Sequence, residues 1–578
     1  MYYPKLRTIR TSRQMVDTFK GYNHNLRIND GEFFDMKNMT SDYYPVLSPR
    51  KKRGVYESPE SPQGLIAKDA LCYVDGTDFV MNEYRVDMGL NDEPKQLISM
   101  GAYVIIMPDK KYINTANISD HGDIEAEFIT NGPVSFTLCK LDASDYTIDY
   151  PPDAAEPTNP ENMALWIDTS SEPHALKQYS ESAGMWVTVG TTYVKISSAG
   201  IGKHFERYDG IKIEGLAETP AASLEGSAVV WAKDEDYIVV VGILDSTFQT
   251  ESSITISRKM PEMDYIVESE NRLWGCRYGS SVDGQIVNEI YASKLGDFKN
   301  WNCFMGLSTD SYAASVGTDG QFTGAITHMG YPLFFKENFL HKVYGNYPSN
   351  FQIQTTACRG VQKGCNKSLA IVNATLFYKA QNGIMGYDGS LPTEASYPLG
   401  NEAYSEAVGG SHGNKYYVSM KDNFGVYHLF VYDIAKGLWH KEDNLHADCF
   451  CSCGGEMYAI DHDSKNIITM LGSGSEGDEV EWMVQTGEIG ISSPDMKYIS
   501  RLTIRLMIEP DAQVAIYAQY EFSDEWEHQV TLKGNNLRSF SIPIRPKRCD
   551  HMKLRIEGVG AAKIYSITKT IEQGSELS

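Results

Sequence analysis

Residues 271–301, NRLWGCRYGSSVDGQIVNEIYASKLGDFKNW, contain two strand-like runs joined by small and turn-forming residues. Residues 271–276 alternate large apolar and polar side chains, which is the period of a half-buried strand. Residues 280–285 supply a turn, and residues 289–292 form a second strand that leads into Gly-Asp-Phe and Trp301. A strand, a hairpin, a second strand and a closing aromatic residue are typical of one blade of a β-propeller.

Comparable strand pairs recur along much of the chain, so the opening stretch is one copy of a degenerate repeat. The composition agrees, because 36 Tyr, 21 Phe and 49 Gly favour sheets and tight turns over helices. A closed ring hides its strand edges, and it is therefore favoured over a solenoid. An open pair of stacked sheets remains an alternative. The strand pairs lie at residues 65–90, 96–114, 236–260, 271–301, 332–346, 374–390, 415–443 and 456–470.

The predicted fold class is all-β, with a β-propeller, an inserted small β-rich domain and a C-terminal jelly-roll-like β-sandwich. The prolines around residue 151 signal a long loop, and the Gly-Ser-rich residues 472–477 read as a flexible joint that separates the sandwich from the ring. The predicted segments are an extended N-terminal arm at 1–56, propeller at 57–118 and 217–478, the insertion at 119–216 and the sandwich at 479–578.

The net charge of −24, from 52 basic and 76 acidic residues, argues against a protein that binds nucleic acid by neutralising phosphates. No apolar run is long enough to span a bilayer, and the first residues lack the apolar core of a signal peptide. We therefore expect no membrane span and a chain that stays in the cytoplasm in which it is made.

One cysteine cluster, formed by Cys449, Cys451 and Cys453, lies near three histidines in the sequence, namely His440, His446 and His462. Alternate residues of a strand project to one face, so the three sulfurs would stand in a row instead of converging on a tetrahedral ion. Core packing is the favoured interpretation, and neither a metal site nor a cofactor is predicted.

The sequence contains no phosphate-binding loop and no nucleophile elbow. The triplet Asp461-His462-Asp463 offers two carboxylates that could flank a glycosidic bond, but the same triplet fits a polar hairpin turn. No catalytic residue is assigned, and a protein without enzymatic activity is predicted. A propeller glycosidase remains an alternative.

A basic run with nearby prolines is predicted to contact a neighbouring subunit, because such a run is more often an exposed arm or an interface than a nucleic-acid site. The arm as a whole is expected to gain order on that neighbour. The predicted contact residues are Pro45, Pro49, Arg50, Lys51, Lys52 and Arg53.

Several stretches resemble the β-propeller structural proteins of tailed-bacteriophage tails, known as tail, tail-hub, nozzle or stabilisation proteins. They are residues 21–39 and 45–50 of the arm, RLWG at 272–275, IYASKLGDFKNW at 290–301, GIMGYDG at 383–389, SPDMKYISRL at 493–502 and the end of the chain from 563 to 574. The insertion and the terminal sandwich depart from this pattern.

The resemblance implies a virion protein of the tail that assembles in the host cytoplasm into a homo-oligomeric ring around the DNA ejection channel. It brings no enzymatic residues. Its implied partners are other tail proteins and DNA that passes without specific binding, and acidic side chains on the channel face would keep that DNA from adhering. A receptor-binding tail protein that recognises a host-surface glycan is the alternative.

Overall fold

The computed structural model describes residues 11–280, 284–474, 479–492, 496–521 and 523–573. Parts of five predicted features lie outside these residues. They are residues 1–10 of the N-terminal arm, the turn of the opening hairpin at 281–283, the joint at 475–478, residues 493–495 and 574 of the stretches that resemble tail proteins, and residues 493–495, 522 and 574–578 of the C-terminal sandwich. In the described residues the chain is almost entirely β-structure, with five 3-10 helices at Ile201–Lys203, Ala222–Leu224, Pro348–Asn350, Asn366–Ser368 and Tyr397–Leu399. No helix there is long and apolar enough to cross a lipid bilayer.

The described residues contain seven four-stranded antiparallel blades, each numbered here in ring order with its innermost strand first. Blade 1 has strands Pro62–Lys68, Ala70–Asp75, Asp78–Met81 and Tyr84–Asp87, and blade 2 has Gln96–Met100, Tyr103–Met107, Lys111–Asn114 and His121–Asp123. Blade 3 has Tyr265–Ser269, Arg272–Ser280, Ile286–Ala292 and Tyr312–Ser315, and blade 4 has Phe322–His328, Tyr331–Lys336, Phe339–Tyr344 and Gln352–Ala357.

Blades 5 to 7 complete the ring. Blade 5 has strands Ala370–Val372, Thr375–Ala380, Gly383–Tyr387 and Thr393–Glu394, and blade 6 has Ser405–His412, Lys415–Lys421, Tyr427–Asp433 and Leu438–Lys441. Blade 7 has Ala447–Cys453, Glu456–Asp461 and Ile467–Thr469, and its outermost strand is Gly54–Glu57 from the N-terminal segment.

The ring is a β-propeller that closes on itself. The first strand of each blade contacts the corresponding region of the next blade, and blade 7 contacts blade 1 in the same way. Val55 pairs with Ile468, so a strand from one end of the propeller completes the blade at the other end. This pairing fixes the ring without leaving an open edge between the first and last blades.

The hydrophobic cores lie between neighbouring blades. In the opening stretch, Leu273 packs toward blade 2, while Trp274 and Cys276 pack toward blade 4. The predicted half-buried strand is therefore wrong, because Arg272, Leu273, Trp274, Gly275 and Cys276 are all buried. A blade is covered on both faces by its neighbours, so the side chains on both faces of the strand are buried.

The inserted region begins after blade 2 and consists of three sheets that end only where blade 3 begins. Its strands are Ala126–Ile129, Gly210–Glu214, Gly226–Val229 and Thr255–Arg258 in one sheet, Val134–Cys139, Tyr193–Ser197, Ala232–Asp234, Tyr237–Val241 and Phe248–Thr250 in the second, and Tyr150–Asp153, Leu165–Asp168, Ala175–Ser180 and Met185–Thr188 in the third. The predicted boundary at 216 is corrected to about residue 258, because Val194 pairs with Val240 and joins later strands to the insertion.

The C-terminal strands are Glu481–Thr486, Lys497–Tyr520, Glu527–Ile542, Arg548–Cys549, Met552–Val559 and Ala562–Gln573. The first part of the long strand Lys497–Tyr520 pairs with Ala562–Gln573, and its last part pairs with Met552–Val559. The same long strand thereby pairs with two different strands along its length, within one sheet.

The N-terminal segment lies on its own chain, with strands Thr11–Val16, Gly21–Tyr22, Glu32–Lys37, Met39–Thr40 and Ser48–Pro49. Glu32–Lys37 pairs with Glu481–Thr486, and Gly21–Tyr22 pairs with the outermost strand of blade 6. The prediction of a sandwich separate from the ring is wrong, because backbone hydrogen bonds continue from one to the other through these strands.

Candidate functional site

The candidate site is a group of polar side chains at one end of the strands of blades 6 and 7, here called the blade 6–7 cluster. Its members are Glu406, Tyr427, His446, Asp448, His462 and Asp463. The start of the first strand and the turn between the second and third strands lie at the same end of an antiparallel blade. The members come from these positions in both blades, so the fold brings them together from residues up to 57 positions apart.

Glu406 has an unusual backbone conformation. It lies near the start of the innermost strand of blade 6 with φ of 48°, and the register of that strand shifts between Ser405 and Val408. A left-handed conformation is unfavourable for a residue with a side chain, and a β-bulge of this kind changes the direction in which a side chain points. The Glu406 side chain is 55% exposed to solvent.

Two donors hold the Glu406 carboxylate. The Tyr427 hydroxyl donates to Glu406 Oε2 over 2.5 Å, and Lys421 Nζ donates to Oε1 over 3.0 Å. These contacts, first that of Tyr427 and then that of Lys421, lower the pKa of Glu406. The carboxylate is therefore ionised at neutral pH, and it accepts the proton that Tyr427 offers.

Tyr427 stands between this carboxylate and the histidines. Its ring stacks on His446 with centroids 3.6 Å apart and planes 13° from parallel. Burial, followed by the hydrogen bond to Glu406, raises the pKa of the Tyr427 phenol, and the charges of Asp448 and Asp463 raise it further. The phenol is thus neutral and already directed at a base.

The two histidines of the cluster contact each other. Their ring centroids are 4.1 Å apart, and the backbone N–H of His462 donates to the backbone oxygen of His446 over 2.9 Å. His462 Nδ1 lies 2.9 Å from Asp448 Oδ1, and His446 Nδ1 lies 3.9 Å from Asp463 Oδ1. Burial and the neighbouring His462 lower the pKa of His446, so this imidazole is neutral.

Of the two carboxylates in the predicted triplet, only Asp463 faces the cluster. Asp461 shapes the hairpin turn instead, because it accepts hydrogen bonds from the Asp463 backbone N–H over 3.3 Å and from Ser464 Oγ over 2.6 Å. Asp461 therefore belongs to the polar hairpin turn. Asp463, whose side chain is 79% exposed, is the carboxylate of the triplet that could lie beside a glycosidic bond.

The three clustered cysteines pack between blades 7 and 1. Cys449, Cys451 and Cys453 pack against a buried cluster that includes Leu71 and Tyr73 of blade 1. Burial raises the pKa of Cys449 to about 11 and that of Cys451 to about 12, so both are neutral thiols. The nearby His440 is buried on the outermost strand of blade 6.

The residues predicted for a subunit contact are placed partly inside the chain. Arg53 pairs with Asp443 at 2.6 Å and with Glu442 at 2.7 Å, and Arg50 pairs with Asp443 at 3.1 Å. Lys52 pairs with Glu479 at 2.8 Å. Lys51 and Pro45 are exposed, and Pro49 lies in the short strand that pairs with Met39. The subunit contact itself stays a prediction.

Sequence reasoning missed Glu406, Tyr427 and Asp448. The pair His446 and Asp448 could have been found, because residues two apart on a strand share a face. No local signal connects Glu406 with Tyr427, since these residues belong to different strands and meet only through the side-chain geometry of blade 6.

No protein-family profile and no curated protein matches this chain. Among solved structures it is similar to an exo-β-1,3-galactanase from Phanerochaete chrysosporium, with 9% identity over 53% of this chain and 94% of that one and a TM-score of 0.20. It is also similar to a family 43 arabinoxylan arabinofuranohydrolase from Bacillus subtilis, with 8% identity, coverage of 52% and 94%, and a TM-score of 0.17. A phage phi92 endosialidase matches at 11% identity over 81% of this chain and 61% of that one, with a TM-score of 0.15.

These matches correct one expectation. The chain was predicted to have no enzymatic activity, but the structures it matches include several glycoside hydrolases of family 43. With such low TM-scores the matches assign neither a substrate nor a catalytic residue to this chain, and the chemistry has to be argued from its own side chains.

Proposed function

We propose that this protein is a β-propeller glycoside hydrolase whose active site is the blade 6–7 cluster. The observation that carries the proposal is the 2.5 Å contact between the Tyr427 hydroxyl and the Glu406 carboxylate. Glu406 holds this position in a left-handed conformation at a β-bulge. Strained backbone and bulges are concentrated beside active sites, where they direct a reactive side chain.

The pair supports attack on an anomeric carbon. Most glycoside hydrolases use two carboxylates, whereas sialidases use a tyrosine nucleophile. In the first step the Tyr427 oxygen forms a bond to the anomeric carbon, its proton passes to Glu406, and the glycosidic C–O bond breaks. The leaving oxygen takes a proton from solvent water, which reaches the site because the Asp463 side chain beside His446 is 79% exposed.

The second step releases the sugar. A water molecule attacks the anomeric carbon and releases one proton to the solvent, while the Tyr427 oxygen leaves and takes back its proton from Glu406. Tyr427 and Glu406 thereby return to their starting states. The half-exposed side chains of Glu406 and His462 leave the cluster open, so it suits a long carbohydrate chain better than an enclosed small molecule.

Hydrolysis of a panel of 4-methylumbelliferyl glycosides, covering pentoses, hexoses and sialic acid, tests the proposal. At least one substrate should be hydrolysed, and Tyr427→Phe and Glu406→Gln should each lower kcat by at least about 100-fold. Tyr291→Phe is the matched control, because Tyr291 donates to Glu289 over 2.7 Å on blade 3. Absence of hydrolysis with every substrate, or equal losses in the control, would overturn the proposal.

We propose as a second candidate function that the chain is a subunit of a homo-oligomeric ring in a phage virion tail. One observation favours it: the strand Thr11–Val16 is the edge of a large sheet, and its outer side has no partner strand among the described residues. An unpaired edge can accept a strand of another chain. The two functions are compatible, since an enzyme in a tail would act on a host-surface glycan.

The mass of the full chain in solution, measured by light scattering after size exclusion, tests the ring. A closed oligomer that Gln14→Pro dissociates would support it, because proline removes a backbone donor from the edge strand. Gln178→Ala, at a half-buried position in the insertion, is a control that should leave the mass unchanged. A monomer at about 100 µM, well above a micromolar Kd, would contradict the ring.

A further inference from the structure

We propose that His446, Asp448 and His462 form a binding site for one divalent transition-metal ion, with zinc as the reference metal. One ligand atom from each of the three side chains lies within 4.8 Å of the other two. Two imidazoles and one carboxylate are a ligand set for zinc, iron, nickel or copper, and they leave further coordination positions open. This site differs from the cysteine row considered in the sequence, because it contains no sulfur ligand.

The backbone already holds the two histidines in place. The N–H of His462 donates to the oxygen of His446 over 2.9 Å, which ties the turn after the second strand of blade 7 to the start of its first strand. Asp461 fixes the same turn through Ser464 Oγ at 2.6 Å. A ligand set on connected strand ends loses little conformational freedom when it binds an ion.

Charge also favours a cation at this position. Asp448 and Asp463 have no ion pair with a lysine or arginine in the described part of the chain, and both lie beside a histidine. Lys367 donates to the backbone oxygen of Asp448 over 3.0 Å, which leaves the carboxylate to His462. Asp463 Oδ1, 3.9 Å from His446 Nδ1, provides a fourth potential ligand atom.

The ion would take the place of a proton. His462 Nδ1 and Asp448 share a hydrogen bond of 2.9 Å, and zinc bonds to nitrogen and oxygen measure about 2.0–2.2 Å. Two ligand atoms of one tetrahedral ion at these bond lengths are about 3.3–3.6 Å apart, so the nitrogen and the oxygen must separate by about 0.5 Å. His462 can make this movement, because it lies on a turn and its side chain is 54% exposed.

A second group of potential ligands lacks these features. Glu521, Asp550 and His551 also place ligand atoms within 4.8 Å of one another. However, Lys497 Nζ lies 3.3 Å from Asp550 Oδ1, so a positive charge already compensates this group. His551 therefore provides a control residue for metal binding at the blade 6–7 cluster.

Calorimetric titration of Zn²⁺ into the chelator-treated full-length chain tests the site. We expect one equivalent to bind with a Kd of about 10 µM or lower. His462→Ala and Asp448→Asn should each weaken binding by more than the roughly 10–100-fold that loss of an outer-shell partner causes. His551→Ala and His412→Ala should leave the Kd unchanged. If the chain binds no zinc at 1 mM, or if His462→Ala binds it as tightly as the parent, the site does not exist.

Two further readouts keep the test independent of folding and of activity. Co²⁺ should give a visible absorption band that Zn²⁺ abolishes, and His446→Ala should lose this band even if removal of the ring stacked on Tyr427 lowers the Tm. The inference concerns the proposed active site but does not require hydrolysis. A chain that binds zinc and cleaves no glycoside would retain the metal site and refute only the proposed hydrolase.

Discussion

Tyr22 of the N-terminal segment pairs through its backbone with Trp439 on the outermost strand of blade 6. On its other side Tyr22 pairs with Phe33, whose strand continues into the C-terminal module. A side chain at Gly21, which has φ of 81°, would collide with the backbone oxygen of Trp439. The N-terminal segment is thus the structural connection between the propeller and the C-terminal strands.

The first prediction concerns this connection. Met39 is fully buried in a core that contains residues of both the propeller and the C-terminal module. Met39→Ala should lower the free energy of unfolding by about 2–5 kcal/mol, because it leaves a cavity. Denaturant unfolding measures the change. Met15→Ala is the control, since Met15 is 63% exposed and its loss should change stability by about 0.5 kcal/mol or less.

An arm that lay on another subunit could be removed, as residues 1–50, without unfolding the propeller. Phe33 and Met36 are each 1% exposed within the single chain. A truncated chain should therefore expose the apolar core and aggregate or bind a hydrophobic dye. A monomeric truncate with an unchanged Tm would contradict this result.

The second prediction concerns the buried ion pair between Arg53 and Glu442. Arg53→Met removes the nearer of two arginine partners of a carboxylate whose pKa burial raises, since Arg50 lies 3.6 Å away, and it should cost up to about 3–5 kcal/mol of unfolding free energy. Lys52→Met is the matched control, because its pair with Glu479 is partly exposed and worth about 0–1 kcal/mol. Equal losses in both variants would show that the buried pair has no special role.

The third prediction tests how the ring closes. A Cβ at Gly54 would collide with the backbone of Gly474, where the N-terminal strand joins blade 7. Gly54→Ala should therefore destabilise the chain by about 1–3 kcal/mol in thermal or denaturant unfolding. Gly190→Ala, at a position with open space around the added atom, should behave like the parent chain.

The fourth prediction concerns the pH dependence of the proposed hydrolase. Tyr427 and then Lys421 lower the pKa of Glu406, so its ionised form persists to lower pH than that of an ordinary glutamate. Lys421→Met should move the acid limb of the kcat/KM profile to higher pH, because less positive charge then favours the carboxylate. Lys212→Met, next to Glu214 in the insertion, should not move it.

The fifth prediction concerns the free thiols. Burial raises the pKa of Cys449 to about 11 and that of Cys451 to about 12, so the thiolate fraction at pH 8 is about one in a thousand or less. Both should react slowly with a disulfide reagent in the folded chain, and about tenfold faster per pH unit as the solution becomes more alkaline. Rapid labelling of both at pH 8, located by mass spectrometry, would contradict their burial.

The amino-acid sequence by itself determined the secondary structure of this protein. Alternating apolar residues, Asp-Gly turns and aromatic strand ends are local signals, and they predicted an all-β chain, propeller-type strand pairs and a C-terminal group of strands. The opening stretch did form two strands of one blade, Arg272–Ser280 and Ile286–Ala292. An insertion was also visible, because its prolines and long loop interrupt the repeat.

Only the tertiary structure decided the blade count, the end of the insertion and the role of the N-terminal segment. Val55 pairs with Ile468, and Val194 pairs with Val240. In each pair, the sequence around one residue does not identify its partner strand. The candidate site has the same origin, since Glu406 and Tyr427 meet across a blade and His446 meets His462 across the next. Such contacts are selected by the packing of the whole ring, which local sequence preference does not specify.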